Sequence, residues 1–119
     1  EPAAPNPIDR TVLARLQVDL GDTDATIVGE LIEMFVSDTA QLIATMRQSL
    51  ARRAAGELQR AAHTLKSSSA SIGAMSVSQL SLEIEQLARA GELAPAENLL
   101  SQLELAYQQS KLALQSAPA

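Results

Sequence analysis

Residues 61–74 read AAHTLKSSSASIGA and contain His63, the single histidine of the chain. Lys66 follows three residues later, and small hydroxyl residues come directly after it. Neutral imidazole is nucleophilic near pH 7, and an ammonium group pairs with phosphoryl oxygens as a compact point charge. The types and spacing of these residues therefore suit the transfer of a phosphoryl group to the histidine ring.

Helical periodicity indicates that this histidine lies on an exposed face. Five residues share one direction on the helical wheel and are expected to face the core: Leu58, Ala62, Leu65, Ser69 and Ile72. His63 lies about 140° from that direction at 100° per residue. The same outer side carries Gln59, Lys66, Ser67 and Ala70. Taken alone, such a position also fits a histidine that is only part of the surface.

Composition narrows the class of protein. The chain has 119 residues, a net charge of −5, 46% hydrophobic residues and 2% aromatic residues, which favours one domain with an aliphatic, helical core. It has no cysteine, so disulfides and thiol chemistry are excluded, and one histidine without cysteine leaves only carboxylates as further ligands, which argues against a metal site. The chain has no dense basic cluster, so nucleic-acid binding is not expected, and it has no apolar run long enough to span a membrane.

Nucleotide-dependent and acyl-transfer chemistry also lack their motifs. The chain has no Gly-rich phosphate loop, so ATP binding is not expected. Serines follow Lys66, but no S-x-x-K spacing occurs. We therefore expect no cofactor in this chain.

Five helical segments are predicted, with polar caps and glycines between them. A short helix follows Asp9 and ends at Gly21, a long one runs from the GDTD turn at 21–24 to about Arg53, and a third covers 57–72. A fourth runs from a Ser76 cap to about Ala90, and a fifth from Pro95 to about Leu114. The apolar stripe of the long helix comprises Ile27, Leu31, Met34, Phe35, Leu42, Met46 and Leu50, and Met75 is also expected in the core.

The predicted fold class is all-α: an antiparallel four-helix bundle with a short additional N-terminal helix. Residues 8–115 are assigned to this domain, residues 1–7 to the end of a linker and residues 116–119 to a flexible tail. One apolar stripe per helix is consistent with one buried core, so we expect a monomer.

The stretch AHTLKSSSASIGA resembles the signature of the histidine-containing phosphotransfer (HPt) domain. The matching residues are His63, Leu65, Lys66, Ser68, Ile72, Gly73 and Ala74. The resemblance extends over nearly the whole chain and includes the IEQLARAGEL segment at 84–93. One departure is Ser67, which stands where the family usually has glycine.

The resemblance implies a phosphocarrier without catalytic activity of its own. His63 would accept a phosphoryl group from a receiver-domain aspartate and pass it to another receiver in a multistep two-component relay. The receiver would supply the Mg²⁺. The family often sets a Gln or Glu of the neighbouring helix against the imidazole; an ungapped count gives Glu85, with Gln86 as the alternative. The receiver-docking surface is expected to include Gln59, Ser67, Ala70 and Gln86.

The linker-like start, without methionine, predicts that this domain is the C-terminal module of a bacterial hybrid sensor histidine kinase. It would then be cytoplasmic, with any tether to the inner membrane lying in the parent kinase. The sequence leaves two alternatives open. One is the phosphoacceptor domain of a chemotaxis-type kinase, which receives phosphate directly from an ATP-binding domain. The other is a helical scaffold that binds partners without chemistry.

Overall fold

The computed structural model describes residues 8–115 and contains five helices and no strand within that range. The helices are α1 (Arg10–Asp19), α2 (Thr26–Ala51), α3 (Ala55–Ser71), α4 (Met75–Arg89) and α5 (Leu93–Gln115). The predicted linker at 1–7 and tail at 116–119 lie outside the described residues.

Helices α2 to α5 form a closed bundle. Helix α3 packs against α2 and α4, and α5 also packs against α2 and α4, while α1 contacts α2. Short turns join α2 to α3, α3 to α4 and α4 to α5, so successive helices run antiparallel. The predicted fold class is confirmed. None of these helices combines the length and apolar character that crossing a membrane requires.

Aliphatic side chains fill the bundle, as the low aromatic content predicts. Met46, Leu58, Leu65, Leu100 and Leu103 are completely buried. The two aromatic residues of the chain, Phe35 and Tyr107, are also buried in this core. The Tyr107 hydroxyl donates a hydrogen bond of 2.8 Å to the carbonyl oxygen of Val36, which satisfies its polar end and joins α5 to α2.

The helix starts are only partly those predicted. Asp9 caps α1 by accepting a hydrogen bond from the Thr11 N–H, and the acidic turn caps α2 through Asp22, which accepts from the Val28 N–H at 2.8 Å. The predicted Ser76 cap is wrong, because α4 begins at Met75 and makes no side-chain cap hydrogen bond. The tight turn before α4 brings the chain into helical conformation two residues earlier than a Ser76 cap requires, with Ala74 at the cap position.

The buried face of α2 differs from the predicted stripe. Ile27 and Met34 are 41% and 59% exposed, and Met75 at the start of α4 is also exposed. The buried residues of α2 are Val28, Ile32, Phe35, Thr39, Ile43, Met46, Ser49 and Leu50. Apolar residues occur on several sides of the N-terminal half of α2, so its rotation is decided by the helices that pack against it.

Gly73 holds α1 beside the end of α3. The Asp9 N–H donates a hydrogen bond of 2.7 Å to the Gly73 carbonyl, and Gly73 has a φ of +85°. A Cβ at this position would lie 2.6 Å from the Asp9 carbonyl oxygen, which is too close for any side chain. Glycine is therefore required both for the turn and for the docking of α1.

Candidate functional site

The histidine projects from the exposed side of α3, as the wheel predicts. The opposite side of α3 buries Leu58, Ala62 and Leu65 completely, whereas the His63 side chain is 61% exposed. Burial of the apolar side sets the rotation of the helix and thereby directs the imidazole outward. A protein that contacts α3 from solvent can therefore reach the ring.

Glu85 on α4 is the hydrogen-bond partner of the imidazole. Its Oε2 lies 2.8 Å from Nδ1 of His63, and only 3% of the Glu85 side chain is exposed. Gln86, the alternative from the sequence, is exposed on another side of α4. The neighbouring Ile84 and Ala88 are buried, and their packing turns Glu85 toward α3.

Two cations share the same carboxylate. Nζ of Lys66 lies 2.9 Å from Oε1 of Glu85, and a guanidinium nitrogen of Arg89 lies 3.2 Å from Oε2. The hydrogen bond from Lys66 is the largest cause that lowers the pKa of Glu85; burial opposes it, and the hydrogen bond with His63 adds to the lowering. Glu85 is therefore ionised at neutral pH in spite of its burial.

The charge of Glu85 assigns the two ring nitrogens of His63. A carboxylate only accepts hydrogen bonds, so Nδ1 carries the proton that faces Glu85. In the neutral ring Nε2 then bears the free lone pair. In that tautomer the nitrogen with the free lone pair is the one that does not face Glu85.

Arg89 was not among the residues predicted from the sequence. It lies four residues after Glu85, which places both side chains on one side of α4. The i,i+4 spacing from Glu85 is the signal in the sequence that indicates Arg89. Lys66 also differs from expectation, because its side chain is only 29% exposed and lies against α4 rather than free on the outer face.

Small hydroxyl residues hold α3 close to α4 beside the site. The buried Ser69 hydroxyl donates to the carbonyl of Leu65 within α3. The Ser78 hydroxyl of α4 donates a hydrogen bond of 2.9 Å to the carbonyl oxygen of Lys66. The two helices are therefore joined at the residue whose ammonium group binds Glu85, which fixes their register where the side chains meet.

The remaining predicted residues surround the ring without forming a pocket. Ser67 and Gln86 are exposed, while Gln59 and Ala70 are half-buried. Across residues 8–115, no group of three or more His, Asp or Glu side chains is arranged to hold a metal ion.

An apolar groove lies between α1, α2 and α3, close to the exposed serines. It has a volume of about 340 Å³ and is lined by Leu16, Leu31, Met34, Phe35, Asp38, Ser68, Ser71 and Ile72. The sequence does not predict this groove, because three helices contribute to it and no single helix shows its pattern. We name it the α1–α3 groove.

Comparison with known proteins agrees with the geometry of the histidine. The family described as the Hpt domain matches residues 30–113. The chain belongs to the Hpt domain family. Hpt domains are phosphocarriers without kinase activity, and they pass phosphoryl groups to the receiver domains of response regulators.

A solved Hpt structure has the same bundle. The chain resembles histidine-containing phosphotransfer protein B (HptB) from Pseudomonas aeruginosa PAO1, with 29% sequence identity and a TM-score of 0.85. The match covers 95% of this chain and 94% of that protein. No curated protein matches the chain significantly.

Proposed function

We propose that His63 is the phosphoacceptor of this Hpt domain, and that it carries a phosphoryl group from one receiver domain to another in a multistep phosphorelay. The observation that carries this proposal is an exposed imidazole whose Nδ1 is held by the buried, ionised Glu85. That contact leaves Nε2 as the nucleophile. A histidine that is merely part of the surface has no need of a buried carboxylate.

The transfer step uses the two ring nitrogens differently. The Nε2 lone pair forms a bond to phosphorus while the bond between phosphorus and the receiver's aspartyl oxygen breaks, and that electron pair returns to the receiver's carboxylate. The Nδ1 proton stays between the ring and Glu85. The phosphorylated ring carries positive charge, which the carboxylate stabilises. Transfer to the second receiver is the reverse of these events.

The cations of the site act on phosphoryl charge. Lys66 lies one turn after His63, and both Lys66 and Arg89 bind the carboxylate that holds the ring, so two positive charges lie beside the imidazole and can attract a phosphoryl group that reaches it. We assign the divalent ion of the reaction to the receiver, where Mg²⁺ would neutralise the phosphoaspartate. This chain would contribute no cofactor.

The receiver would cover both the ring and the α1–α3 groove. Ser68 and Ser71 line the groove and follow His63 on the same helix. They lie about 7.5 and 12 Å farther along its axis at 1.5 Å per residue. Apolar residues next to the receiver's phosphorylated aspartate would fill the groove, while Ser67 leaves room for close approach near the ring. The docking surface is thus larger than the four residues expected from the sequence.

We also propose that the domain works in the bacterial cytoplasm as part of a hybrid sensor kinase. Because Hpt domains lack kinase activity, the phosphate must originate from ATP at a separate kinase core. Carrying both on one polypeptide raises their effective concentration for each other. The likeness to a Pseudomonas protein supports a bacterial source.

The decisive experiment compares the wild type with His63→Gln. Each protein is incubated with phosphorylated receiver domains of the source organism, and label on the Hpt domain is followed. Glutamine lacks a nucleophilic lone pair on its amide nitrogen, so we expect no label. The fold should persist, with a stability change within about 0.5 kcal/mol for a mainly exposed position.

The matched control is Ser67→Ala, which should retain label. The label on the wild type should be lost in acid and retained in base, as for a phosphoramidate. Acid-stable label, or label on His63→Gln, would move the acceptor to a serine and refute the assignment. Label taken only from an ATP-loaded kinase domain would favour a chemotaxis-type role, and no label from any donor would favour a scaffold.

A further inference from the structure

Asp38 is the charged residue of the α1–α3 groove. Every other residue that lines this groove is apolar or a serine. Asp38 lies on α2, four residues after Met34 and seven after Leu31, which places all three on one side of the helix. Its carboxylate is exposed. A partner that fills the groove therefore meets one negative charge beside an apolar floor.

The Asp38 carboxylate has no structural role within the described part of the chain. Several acidic residues have local roles: Asp9 and Asp24 accept from N–H groups at helix starts, and Glu57 and Glu104 pair with Arg52 and Arg47. Asp38 differs from these, and it differs from other exposed acids such as Glu97 in lying on an apolar groove. Within residues 8–115 no hydrogen bond or ion pair is found for Asp38. It also lies in the middle of α2, where aspartate is a poor helix former and is too far from the N-terminus to interact with the dipole.

The position of Asp38 relative to His63 makes it accessible to the partner during transfer. The groove shares Ser68 and Ser71 with the helix that carries the ring. A receiver whose aspartate reaches His63 would therefore also extend over the groove and exclude water from the Asp38 carboxylate. A carboxylate that loses water without gaining a partner weakens docking, whereas one that meets a cation favours it.

We propose that Asp38 selects receiver domains by charge: receivers that present a lysine or arginine beside their apolar docking residues are accepted, and receivers with an acidic or apolar residue there are rejected. This inference rests on the proposed function of His63. Asp38 does not lie at the ring, so it affects which receivers dock and takes no part in the chemical step. Rejection of wrong receivers is the larger part of its effect, because an unpaired or repelled charge costs more than a rim pair contributes.

The test measures phosphotransfer between each receiver of the source organism and four proteins: wild type, Asp38→Asn, Asp38→Lys and Glu97→Lys. Glu97 is an exposed acid on α5 and lies outside the groove. Glu97→Lys therefore serves as the control, because it changes the net charge by the same amount as Asp38→Lys without altering the groove. For receivers that serve the wild type, we expect Asp38→Lys to raise KM at least tenfold and Glu97→Lys to leave it within about twofold. The difference should shrink as salt is raised.

Two further measurements separate selection from damage. Labelling of His63 by phosphoramidate, a small donor that needs no docking surface, should proceed equally in Asp38→Lys and wild type. A receiver whose groove-facing lysine or arginine is replaced by glutamate should transfer poorly to the wild type and regain transfer with Asp38→Lys. Together these results would show that the carboxylate recognises a charge on the partner.

Three outcomes would overturn the inference. If Asp38→Lys and Glu97→Lys have the same KM with every receiver, the groove carboxylate selects nothing. If Asp38→Asn forms dimers while its transfer rates match the wild type, the charge only prevents self-association of an apolar groove. If the wild type takes phosphate from no receiver but is labelled by phosphoramidate, the proposed relay function fails together with this inference, a result distinct from the first two.

Discussion

Replacement of Glu85 by alanine tests the central contact of the site. The carboxylate accepts hydrogen bonds from His63, Lys66 and Arg89, and its removal leaves Nδ1 of the ring to water. A hydrogen bond to a charged group contributes about 1.5–3 kcal/mol. Because the His63 side chain is 61% exposed, water can replace part of the lost hydrogen bond, and we use the lower limit of this energy range. About 1.4 kcal/mol corresponds to tenfold in rate, so we expect phosphotransfer to slow by about tenfold.

The same substitution should alter the pH dependence of stability. The pKa of Glu85 is lowered in the folded protein, chiefly by the hydrogen bond from Lys66. A carboxylate with a lowered pKa stabilises the fold above its unfolded pKa, about 4.3, and this contribution is lost as pH falls through the folded pKa. Glu85→Ala should therefore be less stable than wild type at pH 7, by about 1–3 kcal/mol, with the difference shrinking below about pH 4.

The assays are single-turnover transfer from a phosphorylated receiver and urea unfolding at pH 7 and pH 3. The matched control is Glu83→Ala on the same helix, because Glu83 has only a long contact of 3.4 Å with Gln79. Receiver affinity should be unchanged in both variants. Transfer by Glu85→Ala at the wild-type rate, or a stability deficit that is equal at both pH values, would refute the role assigned to the carboxylate.

Four further outcomes are expected. Lys66→Ala should slow transfer and raise the pKa of Glu85, since Lys66 is the largest cause of its lowering; an unchanged carboxyl titration by NMR would contradict this. Ser67→Trp should keep its helical circular dichroism and lose receiver binding by titration, because the position is exposed beside the ring; undiminished binding would misplace the interface. Gly73→Ala should unfold at a lower urea concentration, with a free energy of unfolding reduced by about 1–3 kcal/mol, because Gly73 has a φ of +85° and an added Cβ would clash with the Asp9 carbonyl oxygen. Ultracentrifugation at micromolar concentration should show a monomer, since the exposed apolar side chains are spread over four helices; a tight dimer would refute this.

Local signals were sufficient for the helices and for the direction of the histidine. Helix ends depend on caps and glycines within a few residues, and Asp9, Gly21 and Gly91 lie where the helices or their turns require them. The outward direction of His63 follows from a rotation of 100° per residue about a helix whose other side is apolar. Both inferences involve only neighbours in the chain.

The stripe of α2 shows where such signals fail. Ile27 and Met34 fit a helical period, yet Ile32 and Ile43 are buried instead. A helix with apolar residues on several sides has several possible buried faces. The one that is buried depends on which helices pack against it, and this is a property of the whole bundle.

The sequence by itself determined a five-helix, all-α domain with one exposed histidine and a lysine one turn later, because these features depend on local spacing. Only the tertiary structure decided that Glu85, not Gln86, holds the ring. Neighbouring residues on α4 point about 100° apart, so the choice depends on the rotation of α4 against α3. That rotation is set by burial of Ile84 and Ala88, and the α1–α3 groove likewise exists only where three helices meet.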